Sequence, residues 1–229
     1  MNVMLIAHTP NPDGIAGLAA SMCSRGSNIM KSLDSAMEKQ HLSVTEHANF
    51  TFIILGVSRA LLAQLTRHRI ASFSVQSQRY VSECQFEYVI PPEIKALGED
   101  EEAMFMAQMS MMQDWYSEWH RKLLAAGRNQ QQANEDARFV LPNAAATRLM
   151  VTMNARELMH FFELRCCSCA QWEIREMAWK MLKECKKAAP VMFADAGPAC
   201  MHGLCPEGTR SCGMKWKEEM EREENPDAV

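Results

Sequence analysis

Predicted strands and helices do not alternate strictly along this sequence, and this order limits the possible folds more than any other feature. A short apolar run at Val3–Ala7 and a β-branched, aromatic run at Asn49–Leu55 predict strands. Long amphipathic patterns predict helices at Glu99–Ala126 and Ala170–Ala188. A parallel α/β fold would need a helix between most successive strands. The pattern therefore predicts an α+β fold.

The other elements follow from periodicity and from helix start and stop signals. Further helices are predicted at Asp13–Cys23, Asn28–Gln40, Ser58–His68, Gln130–Val140 and Ala155–Leu164, with a break at residues 24–27. Further strands are predicted at Cys84–Ile90 and Arg148–Met153, and the polar, serine-rich segment Ala71–Arg79 predicts a loop. The chain after Pro190 is rich in Gly, Pro and Cys and then in charge. We therefore expect one catalytic domain over residues 1–190 and a C-terminal extension over residues 191–229.

Charge and composition exclude several classes of function. The 229 residues carry a formal charge of -4. Residues 215–229 hold three basic and six acidic side chains, which is -3, so the rest is nearly neutral. A general basic field for nucleic acid is absent from the sequence. No run of eighteen apolar residues predicts a membrane span, and no signal peptide is evident. Nine cysteines, an odd number, favour a reduced, cytoplasmic protein without a membrane or nucleic-acid partner.

The most informative segment is a cationic cluster at Arg67, His68 and Arg69. On a helix, Gln64, Arg67 and His68 are spaced i, i+3 and i+4 and would share one face. Adjacent cations repel one another unless an anion lies among them, and guanidinium forks suit phosphate oxygens. A solvated basic helix end explains the same residues by the helix dipole. The residue types alone leave these two interpretations about even.

The pattern around the cluster resembles a known family. Arg67-His68-Arg69, seven residues and then Ser77, preceded by Gln64 and followed by Arg79-Tyr80, resembles the signature of the flavin-dependent thymidylate synthases. Four other segments resemble family elements in the family's order. They are His41–His47 with Phe50-Thr-Phe after it, Ala137–Pro142, Val151–Arg165 and Ala170–Ile174. The resemblance implies a mixed, largely antiparallel sheet flanked by helices, and a homotetramer.

The resemblance also implies an activity and its ligands. The enzyme would convert dUMP to dTMP, with 5,10-methylenetetrahydrofolate as carbon donor and NAD(P)H-reduced FAD as hydride source. The positions that match the family's dUMP site are Gln64, Arg67, Gln76, Ser77, Gln78, Arg79, Arg138 and Arg165, and Arg165 matches the catalytic arginine that favours an N3-ionised pyrimidine. The positions that match its FAD site are Ser43, Arg67, His68, Arg69, Val75, Asn154, Arg156 and His160. His41 matches a histidine near the ring stack and folate.

Three positions depart from the family pattern, and no dinucleotide-binding loop accompanies the cluster. Val75 stands where many relatives carry Glu or Gln, His160 where some carry Asn, and Cys169 where some carry His. The sequence contains neither Gly-x-Gly-x-x-Gly nor a Walker loop. A flavin would therefore be held by scattered cations, in the family between subunits, and not by a Rossmann unit.

The segment around Asn154 shows how one pattern supports two interpretations. Asn154 is a natural N-cap, and Glu157 three residues later predicts a capping-box-like pair. Arg156 falls in the first turn, where the helix dipole disfavours a cation by up to about 1 kcal/mol. An anionic or carbonyl-rich ligand would offset this cost. Arg156 and His160 lie one turn apart on one face, whereas Arg165 lies about half a turn out of phase.

The sequence has one cysteine-rich segment near its C-terminal end and one pair of adjacent cysteines after Arg165. Cys200, Cys205 and Cys212, with His202 nearby, are explained by free thiols in a loop, and a metal site is the minority hypothesis. Cys166 and Cys167 lack an adjacent base that would mark an activated nucleophile. Outside the methyltransferase reading, the alternative is a flavin- or nucleotide-binding oligomer without methyl transfer.

Overall fold

The computed structural model describes residues 1–24 and 28–214. Residues 25–27 of the predicted helix break and the charged tail at 215–229 lie outside the described residues. The described strands are β1 (Asn2–His8), β2 (Asn49–Ser58), β3 (Ala71–Val75) and β4 (Ala146–Asn154). The described α-helices are α1 (Pro12–Ser24), α2 (Ile29–Glu38), α3 (Arg59–Leu65), α4 (Pro92–Leu97), α5 (Glu99–Ala125), α6 (Gln130–Ala137), α7 (Ala155–Arg165) and α8 (Trp172–Ala188).

The four strands form one sheet in the order β1-β2-β4-β3. The central strands β2 and β4 are antiparallel, since the Ala155 N–H donates to the Ala48 carbonyl at 2.8 Å and the hydroxyls of Thr51 and Thr152 are 2.9 Å apart. Phe50 and Phe52 alternate along β2 and are fully buried, which explains the strong strand signal of this run. The predicted α+β fold with a largely antiparallel sheet is confirmed.

Two predictions along the middle of the chain were wrong. Ala71–Val75 is a strand and not a loop, because it pairs as the terminal strand of the sheet and its two serines face outward. Cys84–Ile90 is not a regular strand; it makes one isolated antiparallel bridge, between Tyr88 and Ala145. The Phe86 carbonyl instead accepts a hydrogen bond from the Gln113 side chain on α5, at 2.8 Å. Two backbone hydrogen bonds flank the bridge, between Val89 and Ala144 and between Ala146 and Glu87, and the rest of the segment is irregular. Local alternation alone cannot distinguish such a segment from a full strand.

Other boundaries differ by a few residues. α3 ends at Leu65, three residues earlier than predicted, and Gln130–Val140 divides into α6 and a 3₁₀ turn at Arg138–Val140. The short helix α4 and a 3₁₀ turn at Leu42–His47 were not predicted.

The long helix α5 confirms its predicted ends. Its first turn consists of four acidic residues, which suit the positive end of the helix dipole. Gly127 follows its last turn at φ 86°, the left-handed conformation that glycine adopts without strain. Of its five methionines, Met109 is buried in the core, and Met104 and Met111 are exposed. No helix within residues 1–24 and 28–214 is long and apolar enough to cross a membrane.

The described chain forms two compact units. The first comprises residues 1–2, 54–67 and 73–150 and contains α3 to α6. Its core includes a cluster of Phe86, Met109 and Ala145, and Tyr116 of the same unit is also fully buried. The second comprises residues 3–53, 68–72 and 151–214 and contains β1, α1, α2, α7 and α8.

An aromatic cluster forms the core of the second unit. The Phe193 ring packs edge-on against Phe50 and Phe162, with centroids 5.4 and 6.0 Å apart. The Asp13 carboxylate of α1 accepts backbone hydrogen bonds from Val191 and Met192, each at 3.0 Å. Residues just beyond Pro190 are therefore tied to the start of the chain. The division into a domain at 1–190 and an extension at 191–229 stays a prediction.

Candidate active site

The cationic cluster Arg67-His68-Arg69 lies beyond the end of α3 and not on its face. Thr66 caps the helix, and the Arg67 N–H turns back to the Gln64 carbonyl at 3.4 Å. Arg67 and Arg69 are exposed, whereas His68 is only 5% exposed. The prediction that Arg67 and His68 share one helix face was therefore wrong. Neither arginine has a side-chain partner among the described residues, so both remain available for an anion.

His68 is buried because two side chains from α7 bind its ring. The Glu157 carboxylate lies 3.1 Å from Nδ1, and Arg165 Nε donates to Nε2 at 3.2 Å. An arginine can only donate, so Nε2 must be the unprotonated nitrogen and Nδ1 carries the proton that Glu157 accepts. The contacts thus define a chain from Glu157 through His68 to Arg165.

The surroundings of His68 keep its imidazole neutral. Burial lowers the pKa of His68 from its ordinary value, and the charge of Arg165 and the proximity of His160 lower it further. The hydrogen bond and the charge of Glu157 oppose this shift. Rings of Phe161 and His160 surround the imidazole, with centroids 5.0 and 6.2 Å away. His68 is therefore a fixed acceptor for Arg165 and not a third cation.

The sequence did not predict the role of Glu157. Asn154 caps α7 as predicted, since its side chain accepts from the Glu157 N–H at 2.9 Å. The predicted reciprocal bond of the capping box was wrong, because the Glu157 carboxylate accepts from His68 instead. An acidic residue at this helix position is typical of capping, so no local signal distinguishes the two roles. A true capping box occurs at the start of α6, between Asn129 and Gln132.

Arg156 occupies the first turn of α7, as predicted, and a side chain of the protein offsets its charge. Its guanidinium forms an ion pair with Glu46, which lies in the 3₁₀ turn at Leu42–His47. Both side chains are about half exposed, so the pair contributes roughly 0–1 kcal/mol. The anionic or carbonyl-rich ligand expected from the sequence is therefore not needed to offset the charge of Arg156. His160, one turn later, lies 3.7 Å from Glu163.

In the first unit, the segment Gln76–Arg79 follows β3 as a compact turn. The Ser77 hydroxyl accepts from the Arg79 N–H at 3.2 Å, and the Ser77 carbonyl accepts from Tyr80. Arg79 donates to Glu135 of α6 at 3.1 Å, and the Asn134 side chain donates to the Arg79 carbonyl at 3.0 Å. This turn gives Ser77 no adjacent general base among the described residues. A binding role fits Ser77 better than a nucleophilic one.

The two units divide the candidate residues between them. The first unit holds seven of the eight predicted dUMP positions, namely Gln64, Arg67, Gln76, Ser77, Gln78, Arg79 and Arg138, together with the predicted FAD position Val75. The second holds Arg165, the other predicted FAD positions Ser43, His68, Arg69, Asn154, Arg156 and His160, and His41. Burial lowers the pKa of Arg59, and the charge of Arg138 lowers it further while that of Glu83 opposes the shift, so two half-buried cations lie near each other in the first unit.

Two candidate cofactor residues line a pocket of about 600 Å³ in the second unit. His41 and Ser43 lie along it, with the ammonium-bearing side chains of Lys31 and Lys39. The His41 N–H is fixed by the Ala36 carbonyl at 2.8 Å. A wall with two cations, an imidazole and a hydroxyl suits an anionic ligand with polar edges.

The cysteines offer no activated nucleophile at the candidate site. Burial raises the pKa of Cys166 well above its ordinary value, and Cys166 is fully buried. The pKa of Cys200 is raised by burial and by the neighbouring thiols of Cys205 and Cys167, so the structure brings the α7–α8 loop to the cysteine-rich segment. Within the described residues, no three side chains are arranged to hold a metal ion, and no disulfide links any of the nine cysteines.

The fold and these residues define an α+β protein that would hold nucleotides with scattered guanidinium groups and not with a glycine-rich loop. Residues 4–191 match the family model described as "Thymidylate synthase complementing protein". The chain is 47% identical to a flavin-dependent thymidylate synthase of Geobacter sulfurreducens over 93% of this chain and 94% of that one. It is 44% identical to one of Clostridium tetani over 93% of each chain.

A solved structure supports the same relationship. The flavin-dependent thymidylate synthase of Helicobacter pylori, in complex with FAD and dUMP, superposes with a TM-score of 0.64 at 27% identity. The match covers 86% of this chain and all of that one. The chain belongs to the flavin-dependent thymidylate synthase family.

Proposed function

We propose that this protein reductively methylates dUMP to dTMP, with FAD as cofactor, 5,10-methylenetetrahydrofolate as carbon donor and NAD(P)H as reductant. The observation that carries the proposal is family membership across nearly the whole chain, at 44–47% identity with the two curated relatives. The cytoplasm, where thiols stay reduced, suits a chain whose nine cysteines form no disulfide in the described residues.

The residues present fit a flavin nucleotide and a second phosphorylated ligand. Arg67 and Arg69 are exposed cations without side-chain partners in the described part of the chain, and His41 and Ser43 line a pocket with two lysines. FAD supplies the hydride when it is bound. The protein must then orient dUMP, bind its phosphate and stabilise charge on the pyrimidine ring.

Arg165 is the residue that we assign to the pyrimidine. A guanidinium near a uracil stabilises negative charge that develops on the ring, provided that it is already oriented. His68 supplies this orientation, since its Nε2 accepts from Arg165 Nε at 3.2 Å. Glu157 in turn fixes the tautomer of His68. No cysteine thiolate is needed for this chemistry, in agreement with the raised pKa of the buried Cys166.

Phosphate and sugar binding fall to residues of the first unit. Arg67, Arg79 and Arg138 provide guanidinium groups for the dUMP phosphate, and Gln64, Gln76, Gln78 and Ser77 provide amides and a hydroxyl. Arg79 already forms an ion pair with Glu135, so it adds little net positive charge to the site. Its guanidinium contributes by directing hydrogen bonds to the phosphate.

We also propose that the protein assembles as a homotetramer. Ile15, Leu18 and Met22 leave an apolar surface exposed on α1, at 37%, 40% and 73%. Apolar surface of this kind supports self-association. Light scattering of the purified protein should give about four times the chain mass of 25.9 kDa. A monomer at micromolar concentration would contradict this part of the proposal.

The catalytic proposal is tested by reoxidation of the reduced flavin without air. Reoxidation with formation of dTMP should require dUMP and methylenetetrahydrofolate together. Arg165→Ala should retain bound flavin and lose dTMP formation. Arg210→Ala is the matched control, because Arg210 is 81% exposed and pairs only with Glu207 through its side chain in the described residues. Flavin binding without dTMP formation in the wild type would favour the rival function, a flavin-binding oligomer.

A further inference from the structure

A half-buried arginine outside the predicted site supports the main chain of Gln76. Arg59 is the first residue of α3, and its Nη2 donates to the Gln76 carbonyl at 2.9 Å. Its own N–H donates to the Ala145 carbonyl at 3.0 Å, and the Gln76 N–H donates to the Arg148 carbonyl at 3.0 Å. The N–H and the carbonyl of Gln76 are therefore both hydrogen-bonded to residues of the first unit.

A buried carboxyl group lies beside this contact. Glu83 is 5% exposed, and its Oε1 has no hydrogen-bond partner among the described residues; Arg59 Nε is likewise buried without a partner. Burial raises the pKa of Glu83, while the charge of Arg59 and a hydrogen bond with the Gln76 side chain lower it. The charge of Arg59 therefore partly offsets the cost of burying a charged Glu83 carboxylate.

Buried polar groups of α5 and α6 support the other end of the turn Gln76–Arg79. Tyr116 of α5 is fully buried, and its pKa is raised by burial and altered by the nearby Glu83 and Ser82. The Tyr116 hydroxyl donates to Asn134 at 3.3 Å, and Asn134 donates to the Arg79 carbonyl. The turn that carries Ser77 and Arg79 is thus supported from both of its sides by buried polar groups.

We propose that Arg59 is a positioning residue of the dUMP site, which acts through the Gln76 main chain, and that Glu83 is its buried charge partner. The inference rests on the proposed function, since Gln76 to Arg79 are dUMP residues only in that function. Loss of Arg59 releases the Gln76 carbonyl and lets the turn shift. A shift of about 1 Å in a binding group weakens ligand binding even though no residue that contacts the ligand has been substituted.

The test compares Arg59→Met with Arg128→Met. Arg128 is an exposed arginine of the same unit, and it pairs with Asp136 at 3.2 Å. We expect Arg59→Met to raise the Kd and KM for dUMP about tenfold, the factor for one hydrogen bond to a charged group. The flavin content and kcat at saturating dUMP should stay within about threefold of the wild type. Arg128→Met should match the wild type in every measurement.

A double variant separates positioning from stability. Arg59→Met leaves Glu83 as an unpaired buried charge and should lower Tm. Addition of Glu83→Gln removes that charge and should restore Tm, while the weak dUMP binding persists. Recovery of both Tm and dUMP affinity in the double variant would overturn the proposal, as would an unchanged KM in folded Arg59→Met. If Arg59→Met does not fold, Arg59→Lys, which keeps the charge but loses the fork, must show the raised KM for the proposal to stand.

The wild-type protein distinguishes this inference from the proposed function. Equilibrium dialysis with labelled dUMP and a dTMP assay are run on the wild type first. A wild type that neither binds dUMP nor forms dTMP overturns the proposed function and this inference with it. A wild type that does both, beside an Arg59→Met variant with normal Kd and KM, overturns this inference alone.

Discussion

Removal of the Glu157 carboxylate should reduce turnover through a residue that does not touch the substrate. In Glu157→Ala the proton of His68 loses the acceptor that holds it on Nδ1. The imidazole can then carry its proton on Nε2, where it would face the donor group of Arg165. Arg165 would lose its fixed orientation, although no group at the pyrimidine itself has been changed.

The magnitude follows from burial. His68 is 5% exposed and Glu157 is 8% exposed, so solvent screens their hydrogen bond little. A bond of this kind to a charged group contributes about 1.5–3 kcal/mol. A loss of about 2 kcal/mol changes the ratio of the two tautomers by about 30-fold. We therefore expect kcat to fall by about 10- to 30-fold and Tm to fall by about 4–8 °C.

The assay is dTMP formation under saturating dUMP and folate, with flavin content measured on the same samples. Glu157→Gln is the matched variant, because its amide oxygen can still accept from Nδ1, and it should keep kcat within about threefold. Glu176→Ala is a surface control, since Glu176 pairs with Lys180 at 2.6 Å on the exposed side of α8. If Glu157→Ala retains wild-type kcat, the tautomer argument is refuted.

The same chain of contacts sets a lower pH limit for the stability and the activity of the protein. The folded pKa of His68 lies below its ordinary value of 6.5. Between that folded pKa and 6.5 the unfolded chain binds more protons than the native one, so stability falls as the pH is lowered through this window. Activity should fall with protonation of His68, because Nε2 then becomes a donor. Glu157→Gln removes a charge that raises the pKa of His68, so its acid limit should move to lower pH.

Two further substitutions test the folded framework. Asp13→Ala removes the acceptor of two backbone hydrogen bonds, from Val191 and Met192, and should destabilise the protein by about 3 kcal/mol in urea unfolding; Asp13→Asn, which keeps one acceptor oxygen, should lose less, and an equal loss in both would contradict the argument. Tyr116→Phe removes a buried hydroxyl beside Asn134 and should cost about 1 kcal/mol with little change in m-value; a neutral result would mean that this hydrogen bond contributes nothing net.

The sequence predicted those parts of the fold that local chemistry determines. The strand at Asn49–Leu55 and the cap at Asn154 follow from side-chain branching and from an amide that accepts a backbone N–H. The errors occur where long-range contacts override local pattern. Ala71–Val75 looks polar but pairs at the sheet edge, and Cys84–Ile90 alternates but bonds to α5. The secondary-structure propensities of the residues do not specify which distant segment a strand or loop will contact.

In the candidate site, too, local sequence predicts some features and long-range contacts determine the others. The residue types at positions 67 to 69 predict cations. In the structure Arg67 and Arg69 are exposed and His68 is buried, so the three residues have different roles. His68 binds partners 89 and 97 residues away, so its buried, neutral state could not be inferred from its two cationic neighbours. A histidine between two arginines would gain little as a third charge, because like charges oppose its protonation. As a neutral acceptor it fixes the one arginine, Arg165, that the chemistry requires to be oriented before the substrate arrives.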